Sequence, residues 1–182
     1  MTDPGQENLR EALKRVAVAL KETGIPFALI GGYAVWARGG PEPEHDVDFI
    51  VAHTDATRAA EALAEKGFRV EHPPEDWLFK VWTDGCMVDV IFRDSGTPAE
   101  RSVVQDADEL EVLSVAMPVL SATVLMVQKL NAMDEHYCDF GVMLPVARAL
   151  REQVDWDRVR RETKDNPFAA ALLFLLERLE II

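Results

Sequence analysis

Asp46 and Asp48 stand two residues apart in the run Asp46-Val-Asp-Phe-Ile-Val51, whose residue types read as a β-strand. Side chains alternate across a strand, so residues i and i+2 share a face. Two carboxylates on one face repel each other unless positive charge sits between them, and a hard, oxygen-preferring cation such as Mg²⁺ meets that need. A polar strand edge in water would show the same spacing, so the pair alone leaves both readings open. Asp89 adds weight to the first. It interrupts Met87-Val-Asp-Val-Ile-Phe92, the most strand-like apolar run of the chain, where an unpaired carboxylate carries a large desolvation cost. A salt bridge to an Arg, or a place at the sheet edge, would relieve that cost too. If the two strands are neighbours, three carboxylates converge. Such a triad can hold two metal ions about 3.5–4 Å apart, one activating a hydroxyl and one stabilising a leaving phosphate.

Gly31-Gly32 follows the short apolar run of residues 27–30 and precedes a helix-like segment. Glycines at such a turn let backbone N–H groups approach a phosphate, and a helix N-terminus favours negative charge. Most glycine pairs are simply turns. Lys129 is the only Lys or Arg between Arg101 and Arg148 and has apolar neighbours. An anionic partner would explain it, as would a side chain snorkelling to the surface.

These residues need a frame. Leu9, Leu13, Val16, Ala17 and Leu20 recur at helical spacing, so residues 6–23 read as an amphipathic helix ended by Gly24. A helix is expected over 55–66, capped by Thr54 or Asp55 and stopped by Gly67. Residues 68–71, 79–82 and 87–92 read as strands, the last two joined by a Thr-Asp-Gly hairpin signal. After residue 98 an extended stretch near 110–120 leads into helices near 121–133, 137–152, 155–163 and 167–179. The order implies an α+β fold: a mixed-sheet core with its N-terminal helix over 1–95, and a helical C-terminal part over 96–182 ending in a bundle.

Composition excludes several classes. The 182 residues suit one domain, and 48% apolar with 28% charged residues is ordinary for a globular protein. The polar start MTDPGQENLR is no signal peptide, and the longest apolar run, residues 168–176, is too short to span a bilayer. Cys86 and Cys138 suggest neither a disulfide framework nor a metal pattern, but reduced thiols in a cytoplasmic protein. A net charge of −13 argues against a general nucleic-acid binder. Residues 145–164 reverse the balance, with six basic against four acidic residues, either a docking patch or a solvated helix face.

The ordered set Ile30-Gly-Gly-Tyr-Ala, His45-Asp-Val-Asp-Phe-Ile-Val51 and Val88-Asp-Val-Ile91 resembles the minimal nucleotidyltransferases of the polymerase-beta-like superfamily. Within it, the chain looks most like the AbiEii/MenT-type toxins of bacterial toxin–antitoxin systems. The superfamily resemblance spans about residues 24–95; the toxin-level one adds the helical half. It implies Mg²⁺-dependent transfer of a nucleoside monophosphate from an NTP, with loss of pyrophosphate, to a tRNA 3′ end, which blocks translation; a cognate antitoxin would be a partner. Asp46, Asp48 and Asp89 would be the catalytic metal ligands. Gly31, Gly32, Lys129 and, in the element His136-Tyr-Cys-Asp139, Asp139 would contact the nucleotide. Arg38, Arg158, Arg160 and Arg161 are the expected RNA contacts, since an acidic protein must concentrate positive potential locally. The chain departs from the superfamily in three places: Gly32 stands where Ser is frequent, the loop Pro41-Glu-Pro-Glu-His45 is acidic, and the element ending at Asp139 lacks its Arg. Two rivals remain: an antibiotic-modifying enzyme whose acidic cleft (Glu42, Glu44, Asp139) takes a cationic aminoglycoside, and a non-catalytic interaction protein that keeps the fold.

Overall fold

The computed structural model describes residues 4–94 and 97–182. The first helix, α1 (Pro4–Thr23), buries Leu13, Val16, Ala17 and Leu20 on one face, the stripe its spacing implies. Gly24, with φ of +67°, turns the chain into β1 (Phe27–Ile30), buried at every position. Then come α2 (Gly31–Ala37) and β2 (Asp48–Val51). A 3-10 turn at His53–Asp55 leads into α3 (Ala56–Glu65), β3 (Arg69–Glu71), β4 (Leu78–Thr83) and β5 (Cys86–Ile91). Asp55 precedes α3 without capping it by its side chain. It is 3% exposed, and its carboxylate instead receives a two-pronged bond from Arg101.

A two-stranded ribbon, β6 (Arg93–Asp94) and β7 (Thr97–Pro98), and α4 (Arg101–Gln105) come next. The hairpin of β8 (Ala107–Val112) and β9 (Val115–Leu120) follows. It adds to the same sheet as residues 1–95, because β9 runs parallel to β1, with Leu29 opposite Val119. The seven strands lie in the order β3-β4-β5-β2-β1-β9-β8, with mixed directions. The α+β expectation therefore holds, with one sheet drawing on both halves of the sequence. Four helices complete the chain: α5 (Ala122–Asn131), α6 (Phe140–Leu150), α7 (Trp156–Glu162) and α8 (Pro167–Arg178). Ser121, Asp139, Asp155 and Asn166 cap them by accepting backbone N–H bonds. The Asn166 amide also donates to Leu130 O and Met133 O, fastening α8 to the end of α5. Among the described residues no helix is long and apolar enough to cross a membrane.

Candidate active site

The sheet sets Asp48 and Asp89 side by side as register partners in parallel β2 and β5. The Asp89 N–H donates to Val47 O at 2.9 Å. On the other flank Ile30 is the partner of Asp48 in antiparallel β1, which brings Gly31 against the carboxylate. A Cβ on Gly31 would lie 3.1 Å from Asp48 Cγ and overlap Oδ2, and the residue holds a φ of +68°. Both facts call for glycine. Gly32 is covered instead by the acidic loop: a Cβ there would meet Pro43 Cβ at 2.6 Å.

Asp46 is not on the strand. β2 begins at Asp48 because β1 has already turned into α2 at Gly31, leaving no backbone opposite residues 46 and 47 on that side. Asp46 is exposed in the preceding loop, yet its charge still acts on Asp48. Burial, then repulsion from Asp89 and Asp46, pushes the Asp48 carboxyl from its ordinary range up to about 7, with Lys129 and Lys80 pulling the other way.

Lys80 is a site residue that the motif reading missed. It lies directly opposite Asp89 in the β4–β5 hairpin, and its Nζ is 3.2 Å from Asp89 Oδ1 and 3.2 Å from Met87 Sδ. The signal was in the sequence. Counting back from the Asp84-Gly85 turn pairs residue 80 with residue 89.

Among the described residues no three Asp, Glu, His or Cys side chains are already gathered closely enough to cage an ion. The donor chemistry still fits a hard divalent cation. Burial, with Asp89 adjacent and Asp46 within electrostatic reach, favours the protonated Asp48 carboxyl, and a cation bound there would favour its ionised form.

Beside these acids a cleft of about 470 Å³ runs between the sheet and α5. One side carries Ile30, Asp48 and Ile91 of the sheet and Gly31 at the start of α2; α5 contributes Leu125, Gln128 and Lys129, with its C-cap Ala132, at helical i, i+3, i+4, i+7 spacing. Asp76, Trp77 and Arg93 complete the wall. Burial lowers the Lys129 ammonium from its ordinary range, while Asp48 acts to raise it. Lys129 thus shares a cleft with Asp48 and Gly31.

The remaining expected residues are elsewhere. Asp139 is exposed and caps α6, accepting from Val142 N at 3.2 Å, and it does not line the cleft. Arg38, its side chain 8% exposed, donates to Leu120 O at 2.6 Å, Val119 O at 2.9 Å and Asp108 at 2.7 Å. It is a clamp between α2 and the β8–β9 hairpin. Arg158 pairs with Asp106 and Glu162, and Arg160 with Asp157 and Glu177. Arg161 is exposed, without an ion pair among the described residues.

Residues 3–181 match a family described as uncharacterised nucleotidyltransferases. The chain belongs to that family. Its fold agrees. The solution structure of the antibiotic-resistance factor ANT(2″)-Ia superposes with a TM-score of 0.64 at 14% identity, over 94% of this chain and 98% of that one. The lincomycin-bound lincosamide antibiotic adenylyltransferase LnuA gives 0.54 at 12% identity, over 79% and 97%. An antigenic nucleotidyltransferase-like protein from Paracoccidioides brasiliensis gives 0.55 at 13%, over 93% of each chain. No curated protein matches the sequence. The nucleotidyltransferase fold thus supplies the frame in which Asp48, Asp89, Gly31 and Lys129 meet.

Substitution of Lys129 provides a local test. Lys129→Ala should raise the NTP KM or lower kcat by about tenfold or more, the loss expected when a charge-assisted contact of roughly 1.5–3 kcal/mol disappears, with acceptor KM unchanged. A change confined to the acceptor KM would remove Lys129 from the triphosphate.

Proposed function

We propose that this nucleotidyltransferase moves a nucleoside monophosphate from an NTP to a hydroxyl of a small, hydroxylated, cationic molecule. The observation that carries this reading is the distribution of charge around the site. Arg38, Arg158 and Arg160 are committed to intramolecular partners, and Glu42 to Arg10, while Glu44 and Asp46 stand exposed in the loop before Asp48. An acidic mouth attracts a polyamine and repels an RNA backbone. The relatives add support: one structure of ANT(2″)-Ia holds adenylyl-2″-tobramycin, and LnuA is lincomycin-bound.

In this scheme the acceptor oxygen bonds to the α-phosphorus as the bond from that phosphorus to the pyrophosphate oxygen breaks, and the hydroxyl proton passes to a carboxylate, a role we assign to Asp89. Asp46, Asp48 and Asp89 would hold Mg²⁺, which supplies Lewis-acid stabilisation of charge on the phosphoryl oxygens. Gly31 lets the triphosphate approach the backbone, and Lys129 neutralises part of its charge.

A second reading keeps the chemistry and makes the acceptor a tRNA 3′ end, with the enzyme a toxin and an antitoxin as partner. It is favoured by Arg148, Arg161 and Lys164, which are exposed and without ion pairs among the described residues. Incubation with α-³²P-labelled NTPs separates the two. Label should pass to an aminoglycoside or lincosamide panel and not to total tRNA. Label in tRNA, with a salt dependence of binding that Arg148→Ala, Arg161→Ala and Lys164→Ala together flatten, would establish the second reading instead.

A further inference from the structure

Asp89 stands between opposite charges. Across the adjacent strands β4, β5 and β2, its register partners are Lys80 on one side and Asp48 on the other. Lys80 itself has a carboxylate on each flank, since Glu71 of β3 is its other register partner. The ammonium goes to Asp89: Nζ lies 3.2 Å from Oδ1, and Met87 Sδ is at the same distance. Glu71 is engaged elsewhere, receiving Trp82 Nε1 at 3.1 Å and an Arg69 nitrogen at 3.3 Å. Lys80 and Asp89 keep only 23% and 19% of their side-chain surface exposed, so salt screens the pair less than a fully exposed one. The charge of Lys80 also acts on Asp48.

Resting on the nucleotidyl-transfer reading above, we propose that Lys80 is a positioning residue that acts through Asp89 as a built-in cation, so that the site takes one divalent ion per NTP instead of two. Charge balance separates the two counts. Asp46, Asp48 and Asp89 carry three negative charges when ionised, and Lys80 neutralises one of them. One divalent ion balances the remaining two, which leaves Lys129 to the triphosphate. A second divalent ion on Asp89 would share that carboxylate with an ammonium. Their repulsion scales with the product of the charges, and even at the dielectric constant of water it weakens a divalent ion about 5 Å away by roughly tenfold. Moving Lys80 aside gains no new ion pair at Glu71, which already has its partners.

Titration of Mn²⁺ into an equimolar mixture of the protein and a non-hydrolysable NTP analogue, with free Mn²⁺ followed by electron paramagnetic resonance, counts the bound ions. The wild type should bind one Mn²⁺ per chain. Lys80→Met keeps the length of the side chain without its charge and should bind two, the second about tenfold or more tightly than any further ion in the wild type. Lys80→Arg should return the count to one. A salt bridge that merely holds the sheet together would leave the count the same in all three proteins. Two ions in the wild type, one in Lys80→Met or two in Lys80→Arg would overturn the proposal, and the wild-type and Lys80→Arg counts decide it even where Lys80→Met does not fold. Those outcomes leave nucleotidyl transfer standing, whereas failure of all four NTP analogues to bind with Mn²⁺ would overturn that reading as well.

Discussion

Asp48→Asn is expected to lower nucleotidyl transfer by about 10²–10³-fold or more, the usual loss when a group that stabilises transition-state charge is removed, and at the same time to stabilise the protein above neutral pH. The second effect follows from the raised carboxyl. Its folded pKa of about 7 exceeds the ordinary value of 3.8, so the folded state holds the proton more tightly than the unfolded state. The resulting stability is fully present below about pH 4 and is lost as pH rises through 7. A shift of this size corresponds to at most about 4 kcal/mol. Asn keeps the shape without the charge and escapes the loss. In EDTA at pH 8 the variant should therefore melt several degrees above the wild type, with the gap closing by pH 4, and millimolar Mg²⁺ should raise the Tm of the wild type only. A gap independent of pH would show that Asp48 carries no such strain.

Gly31→Ala is expected to be the most damaging of the conservative substitutions. Two penalties combine at this residue. An L side chain at φ of +68° is strained by roughly 1–2 kcal/mol, and the added methyl falls on Asp48 Oδ2. The carboxylate must move or the β1–α2 turn must open. Either outcome separates Asp48 from Asp89. A 1 Å misplacement can cost about 10²-fold in rate, so transfer should fall by at least that factor, with a stability loss of about 2–3 kcal/mol. Chemical denaturation and steady-state kinetics on one preparation read both. Wild-type kcat in Gly31→Ala would mean that the turn does not set the position of the carboxylate. Gly24→Ala is the control, because its φ of +67° meets nothing within 4 Å: it should lose stability and keep its rate.

These effects trace to features that the sequence carries unequally. Local signals were readable: the α1 stripe and the Asp84-Gly85 hairpin, whose two turn residues have φ of +48° and +80°. The pairing of Asp48 with Asp89 was conditional, since it depends on β2 and β5 being neighbours across an intervening helix and two strands. The β8–β9 hairpin was harder to see. Its turn, Leu113-Ser114, takes φ of +52° and +65° without glycine or asparagine, so a single extended stretch was expected where two strands form. Lys80 was missed because charge on a strand suggests solvent, whereas here it faces a carboxylate across the hairpin. The arginines look different in the fold for another reason. Sequence counts Arg38, Arg158 and Arg160 as free positive charge, but folding brings distant acids to them: Asp108, Asp106 and Glu177. Asp76, Trp77 and Arg93 belong to no motif and become a set only when the cleft is formed.

If Asp48 and Lys129 hold a single NTP and its divalent cation in the cleft under α5, both side chains must contribute to NTP binding. The measurement is equilibrium binding of non-hydrolysable NTP analogues to the wild type, Asp48→Asn and Lys129→Ala, each with Mg²⁺ and with EDTA. The expected result is one site per chain in the wild type, dependent on Mg²⁺, with the Mg²⁺ dependence gone in Asp48→Asn and affinity reduced about tenfold or more in Lys129→Ala. Binding that is indifferent to Mg²⁺ and unchanged in both variants would contradict it.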